Sequence, residues 1–292
     1  MERFINCIAH KSSEGQLLIG DDFTAIFDCG MMFCQEDTIQ KAKKALNGRT
    51  LDYIFLTHTH YDHIGALPFF KNEWSNARVV TCETGSAVLQ KSTPRRVIRE
   101  LSLAAAQTYE ADLNMEYNEN LFSADITVKE NDIIPLGRVS VQILETPGHT
   151  RDSLAFFIPE LKFFIINETP GILMPDNKVY PCYLTSYIDT IKSIEKCARI
   201  SYEYLSMPHR GIAGSEEADK FFEKALEANA GCRDFIMEMK NKNYNEEKTL
   251  DLYYAKYATE TLLSYQPKEA FLANARAAIA CTLKEGEFNE TM

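Results

Sequence analysis

The sequence predicts an α/β protein with added helices, and three observations carry that expectation. A β-rich apolar run at residues 53–56 is followed by a helical pattern from Gly65 and a second strand pattern at 78–82. Alternation of this kind is the signature of strands covered by helices. Residues 125–166 then return to strand patterns, whereas from Ser215 onward no strand pattern remains.

In chain order, residues 4–8 and 16–28 read as strands, with Gly15 between them and a turn at Gly20, Asp21 and Asp22. Residues 35–47 carry a helical pattern with lysines near its end, closed by Asn47 and Gly48. The stretch 84–117 is helix-rich, punctuated by Pro94. It holds the densest basic patch, Lys91, Arg95, Arg96 and Arg99. Such charges are usually a solvated helix face, and the alternative is an anchor for an anionic substrate group. Strand patterns follow at 139–146, 154–158 and 161–166. Residues 169–187 form a long connection rich in Pro, Tyr and Met, and loops of this length often serve function. Tyr180, Tyr183 and Tyr187 there either line a substrate pocket or pack the loop. A helix at 186–201 leads into a strand that ends near His209. Residues 216–241, 246–264 and 267–284 read as three helices with one apolar face each, suited to packing on a core.

The chemistry concentrates at residues 53–63. Only six histidines occur in the chain, and three of them, His58, His60 and His63, fall here with Asp62. His58 and His60 are two apart, so at an extended strand end both rings point the same way. Asp62 and His63 follow where the chain turns, and can be aimed at a second point nearby. The pattern supplies imidazole and carboxylate donors for two adjacent ions, the ligand types that zinc and iron accept. A surface turn that holds one histidine by chance is common; four donors in six positions argue against it.

This H-x-H-x-D-H pattern resembles the metallo-β-lactamase-fold hydrolases. Further segments match in order. Asp28 ends an early strand in an Asp-x-Gly turn, where it either supports the metal site or is a plain turn residue. Residues 147–150 read P-G-H-T, and His149 stands where the family has its next ligand. Arg151 and Asp152 replace the small residues that usually follow. His209 supplies the last histidine. Where the family places a bridging Asp, this chain has Asn167 and Glu168, so Glu168 is assigned as the bridge, with Asp176 as the fallback. The resemblance covers about residues 1–215.

The resemblance implies a four-layer αββα sandwich, with a helical insertion at about 84–120 and a C-terminal helical subdomain over 216–292. It implies one metal site of His58, His60 and His149 and another of Asp62, His63 and His209, bridged by Glu168. The metals expected are two divalent cations, zinc first, with iron or manganese as alternatives. A hydroxide shared by both would attack an ester, thioester, lactone or phosphodiester of a small-molecule substrate. Asp62, both ligand and carboxylate, would take up a proton. Competing readings are a mononuclear iron sulfur dioxygenase of the same fold, an endoribonuclease, and a binding module that has lost its metals. The acidic tail offers no clear basic site of the kind glyoxalase-type thioesterases use.

Composition sets outer bounds. The chain of 292 residues is 45% hydrophobic and 25% charged, which suits a large core. A net charge of -11 argues against nucleic acid and against a polybasic membrane contact. The apolar runs are too short to span a bilayer, and residues 1–15 lack the apolar segment of a signal peptide. The eight cysteines form no C-x-x-C pair and are expected to be reduced and buried, as in a cytoplasmic protein. A homodimer is left open. His10, in a polar loop, is expected at the surface.

Overall fold

The computed structural model describes residues 3–10, 13–112, 115–214, 218 and 220–290. The start expected for the first C-terminal helix, at 216, lies outside the described residues. Two six-stranded sheets with flanking helices and extra helical elements make up the αββα class expected from the sequence. The chain forms two compact units, one of Met1–Glu145 with Leu154–Ile166, the other of Thr146–Ser153 with Asn167–Met292.

In the first unit, strands β1 (Phe4–Asn6), β2 (Gln16–Ile19), β3 (Thr24–Phe27), β4 (Tyr53–Phe55), β5 (Arg78–Cys82) and β6 (Ile126–Val128) lie side by side in that order. The first three are antiparallel, and β3 to β6 are parallel. Parallel neighbours need crossovers, and helices supply them. Helix α1 (Gln35–Leu46) joins β3 to β4, α2 (Tyr61–Ile64) and α3 (Leu67–Glu73) join β4 to β5, and α4 (Glu83–Leu89) and α5 (Ser92–Thr108) join β5 to β6. Helix α1 buries Thr38, Ile39, Ala42 and Leu46, the i, i+3/i+4 spacing of one face. Glu36 and Asp37 in its first turn and Lys43 and Lys44 in its last complement the helix dipole, and Asn47 ends it in the left-handed conformation. Its apolar face packs with Leu17, Ile26, Ile54, Leu56 and Val79 of the sheet.

On α5, Arg96 pairs with Glu100 at 3.7 Å and Arg99 with Glu119 at 3.2 Å. Arg95 reaches Asn120 Oδ1 at 3.4 Å. Arg96 and Arg99 are exposed and engaged locally, in keeping with the solvated-face reading, whereas Arg95 is half-buried. His10 is half-buried rather than a surface residue: its ring lies 4.3 Å from that of Tyr109 and 5.6 Å from that of Phe33.

The second sheet has strands β7 (Ile133–Pro135), β8 (Ser140–Glu145), β9 (Leu154–Ile158), β10 (Phe163–Ile165), β13 (Tyr204–Met207) and β14 (Gly211–Gly214), in the order β14-β13-β10-β9-β8-β7. A small hairpin, β11 (Ile172–Leu173) with β12 (Val179–Tyr180), occupies the connection expected to be irregular. Helix α6 (Tyr187–Cys197) starts at Ser186, whose side chain accepts a bond from Asp189 N at 3.0 Å.

Among the described residues, four helices follow β14: α7 (Phe221–Asn241), α8 (Glu246–Tyr257), α9 (Glu260–Leu263) and α10 (Lys268–Glu290). The helix expected over 246–264 is broken at Ala258 and Thr259, where the Thr259 side chain caps α9 by accepting a bond from Leu262 N at 3.1 Å. Cys232 and Ile236 of α7, Leu250 and Tyr253 of α8, and Phe271, Ala275 and Ile279 of α10 share one core with Tyr180, Cys182 and Tyr183.

Candidate metal centre

In the first unit, the parallel pairing of β3 with β4 sets Phe27 beside Phe55, so the chain leaves both strands side by side. Ligands commonly bind beyond the carboxyl ends of such strands. Asp28 follows β3 with a left-handed backbone, φ 60°. Its Oδ1 accepts a bond from Thr57 N at 2.8 Å, and its Oδ2 accepts from Thr57 Oγ1 at 2.7 Å. The same Oδ2 lies 2.8 Å from His63 Nδ1. All three residues are buried. A carboxylate at Nδ1 fixes the tautomer with the proton there, which turns Nε2 into the lone-pair nitrogen. Of the two roles weighed for Asp28, support of a histidine is therefore the one its contacts describe. Cys29 N and Gly30 N both donate to His63 O, at 2.7 and 2.9 Å, which fixes the backbone of that residue as well.

The rings of His58 and His60 are 4.6 Å apart, and those of His58 and His63 are 4.1 Å apart. His58 and His63 are buried, whereas His60 and Asp62 are half-buried. Asp62 Oδ2 lies 3.9 Å from His63 Nε2.

In the second unit, His149 follows Gly148, whose φ of 144° is open to glycine and strained for other residues. A Cβ there would meet Thr190 Oγ1 at 2.1 Å and Thr190 Cα at 2.8 Å. Gly148 O accepts bonds from Leu184 N and Thr185 N at 3.1 and 3.0 Å, so the P-G-H-T turn is pinned from both sides. His149 Nδ1 lies 2.6 Å from Cys182 O. A carbonyl only accepts, so Nδ1 carries the proton and Nε2 is again the lone-pair nitrogen. Glu168 is buried, and its Oε1 lies 3.1 Å from His209 Nε2. Asn167 next to it donates from Nδ2 to Thr146 Oγ1 at 2.7 Å and accepts from Thr169 N at 2.7 Å. His209 sits in the turn from β13 to β14 with a φ of 59°. Strained backbone of this kind gathers at functional sites.

Among the described residues, two groups have the donors to hold a metal ion: His58, His60 and His149; and Asp62, His63, Glu168 and His209. Three imidazoles in the first group, and two imidazoles with two carboxylates in the second, fit zinc, and equally iron or manganese. Residues 16–209 match the family model described as the metallo-beta-lactamase superfamily. The chain belongs to that superfamily. Over 128 residues it is 27% identical to a hydroxyacylglutathione hydrolase of Rhodopseudomonas palustris (strain BisB18), spanning 44% of this chain and only 37% of that protein's length. A metallo-beta-lactamase fold-containing protein of Sulfurisphaera tokodaii is 23% identical over 225 residues, 72% of this chain and 77% of the relative. A solved metallo-beta-lactamase family protein of Thermus thermophilus is similar in fold, with a TM-score of 0.62 at 18% identity, over 98% of this chain and 95% of that one.

Against this superfamily frame, the tyrosines stand apart. Tyr180 and Tyr183 are buried in the core of the C-terminal helices, and Tyr183 Oη lies 2.9 Å from Thr282 Oγ1. They do not line a surface; of the two readings for them, packing is the one their contacts describe. Asp176, the fallback bridge, is exposed and bonded to Lys178 at 3.1 Å, away from either donor group. Three supporting groups escaped the sequence reading. Thr57 lies inside the motif, and a hydroxyl next to a ligand was the available signal. The Cys182 carbonyl and the Thr146–Asn167–Thr169 network carry no sequence signal, since neither a backbone acceptor nor a buried polar net has a residue pattern. No helix among the described residues is long and apolar enough to cross a membrane.

Proposed function

We propose that the protein is a metal-dependent hydrolase of a small-molecule ester, thioester, lactone or phosphodiester. In this reading His58, His60 and His149 hold one cation and Asp62, His63 and His209 the other, with Glu168 bridging. The catalytic domain is residues 1–215, and 216–292 is a helical subdomain. The carrying observation is the pair of donor groups. Two histidines, one in each group, have their far nitrogen held by a fixed acceptor, Asp28 for His63 and the Cys182 carbonyl for His149. Such partners raise ligand basicity and lock ring orientation. Two divalent cations, zinc first, would supply a water that ionises near neutral pH and would polarise the bond under attack.

The chain's own residues complete the chemistry. Asp28 and Thr57 keep His63 in one tautomer and one orientation. Asp62, half-buried, keeps its carboxylate open to solvent on one side, so it takes up the proton released as the substrate centre becomes tetrahedral. Burial of His58, His149 and Glu168 keeps bulk water from competing. The eight cysteines are buried and form no disulfide, which suits a reducing compartment such as the cytoplasm.

The test is a panel of esters, thioesters, lactones, phosphodiesters and RNA, run on metal-quantified protein with His60→Ala as control. Hydrolysis by the wild type and none by the variant is expected. One iron per chain with oxygen consumption, or equal activity of the variant, would overturn the reading.

A further inference from the structure

Asn229 is the one wholly buried amide in the body of helix α7, at 0% exposure. Its Nδ2 spends both hydrogens on carbonyls, Pro170 O at 3.0 Å and Ala225 O at 2.7 Å. Both neighbours are acceptors, so the amide cannot be turned round. Its Oδ1 is buried with no hydrogen-bond partner among the described residues. A leucine would fill the same space in an apolar helix interface without that penalty. Packing alone therefore does not account for an asparagine here; the bond to Pro170 does.

Pro170 is two residues from Glu168. Gly171 N donates to Glu168 O at 2.8 Å and closes the turn between them. Gly171 has a φ of 113°, and a Cβ there would meet Tyr180 O at 2.6 Å, so this turn has little room to adjust. Asn229 adds a side-chain bond to the same turn at the Pro170 carbonyl, 3.0 Å away. The same helix packs, through Cys232 and Ile236, in the core that contains Cys182, whose carbonyl orients His149.

We propose that helix α7 is part of the metal centre, with Asn229 as a positioning residue that sets the Glu168 carboxylate through the Pro170 carbonyl. This rests on the proposed dinuclear site and assigns the C-terminal helices a role in it. It also requires that the chain bind its second cation less well when the amide is lost, even where the fold survives.

The experiment uses full-length protein loaded with Zn2+, from which the metal is withdrawn by graded chelator while bound equivalents are counted. Asn229→Leu removes the donor and keeps the branched heavy-atom shape, and Asn229→Ala removes both. Thr282→Val is the control, since it loosens the same helical core without touching the Glu168 turn. Loss of a group that orients a ligand lowers metal affinity about ten- to a hundredfold. That loss is expected for the weaker equivalent in both Asn229 variants and not in Thr282→Val, whatever the three melting temperatures. The proposal is overturned if both Asn229 variants hold two equivalents as the wild type does, or if Thr282→Val loses as much. It is overturned too if neither Asn229 variant folds, because the residue is then a folding determinant. A wild type that never binds two equivalents removes the dinuclear reading itself, which separates the two failures.

Discussion

Replacing Asp28 by alanine removes the acceptor of three bonds at once, those from Thr57 N, Thr57 Oγ1 and His63 Nδ1. The Thr57 hydroxyl keeps an alternative at His58 Nδ1, 3.1 Å away. The Thr57 amide then stands buried without its partner, at about 1–3 kcal/mol, while His63 Nδ1 keeps only the Thr57 hydroxyl, 3.3 Å away. Alanine at a φ of 60° adds about 1–2 kcal/mol, a cost that aspartate largely escapes. The sum is about 2–5 kcal/mol, a large share of the stability of an ordinary domain. Asp28→Asn separates fold from site. Asparagine tolerates the same backbone, but its amide cannot accept at both positions. If its nitrogen faces His63, that ring must place its proton on Nε2 and loses the nitrogen offered to a metal. If its nitrogen faces Thr57 N, two donors collide. The expected result is a smaller stability loss than for alanine, with metal affinity down about ten- to a hundredfold. Denaturant unfolding of metal-free protein reads the first quantity and chelator competition the second. Wild-type metal affinity in Asp28→Asn, or a loss under about 1 kcal/mol in Asp28→Ala, would refute the reasoning.

Other outcomes follow from particular contacts. Gly148→Ala drives a Cβ into Thr190 at 2.1 Å and should cost about 2–5 kcal/mol from overpacking and backbone strain together. Thr190→Ala should restore only part of it, because the Thr190 backbone still stands at 2.8 Å; full recovery in the double variant's melting curve would contradict this. All eight cysteines are buried, and burial pushes the Cys7, Cys34 and Cys281 thiols up to about 12. A disulfide reagent at pH 8 should therefore titrate them only after denaturant is added, and rapid reaction of native protein would count against the packing described. Tyr183→Phe loses two buried bonds, to Thr282 and Cys232, and should cost about 1–2 kcal/mol with KM unchanged; a raised KM would return Tyr183 to a substrate role.

The sequence made the donor set legible because the donors lie in short covalent patterns. His58, His60, Asp62 and His63 fall within six positions, and His149 and His209 each sit at a strand end with a turn signal. Supporting contacts were less legible. Asp28 and His63 meet only because β3 and β4 pair, 35 residues apart in sequence, so the residue pattern alone left its role open. The hairpin β11–β12 has strands of two residues each, too short for any alternation to register. Strand β14 was hidden for a related reason: its Gly211 and Gly214 carry no β preference. Pocket lining and packing stay equally open for Tyr180 and Tyr183 in the sequence, because a long loop rich in aromatics can do either. The core they fill is made by the C-terminal helices, where Cys232 and Thr282 meet Tyr183 from 49 and 99 residues further on, which no local pattern reports. His10 went to a surface loop for lack of nearby partners, and Tyr109 supplied one from the far end of α5.

The central claim is that this chain holds two cations with seven named side chains. Native mass spectrometry of the purified protein, with elemental analysis of the same sample, counts them directly. Two divalent ions per chain are expected in the wild type, and one or none in Glu168→Ala and in His209→Ala. A wild type that carries no metal after loading, or variants that keep both ions, would contradict it.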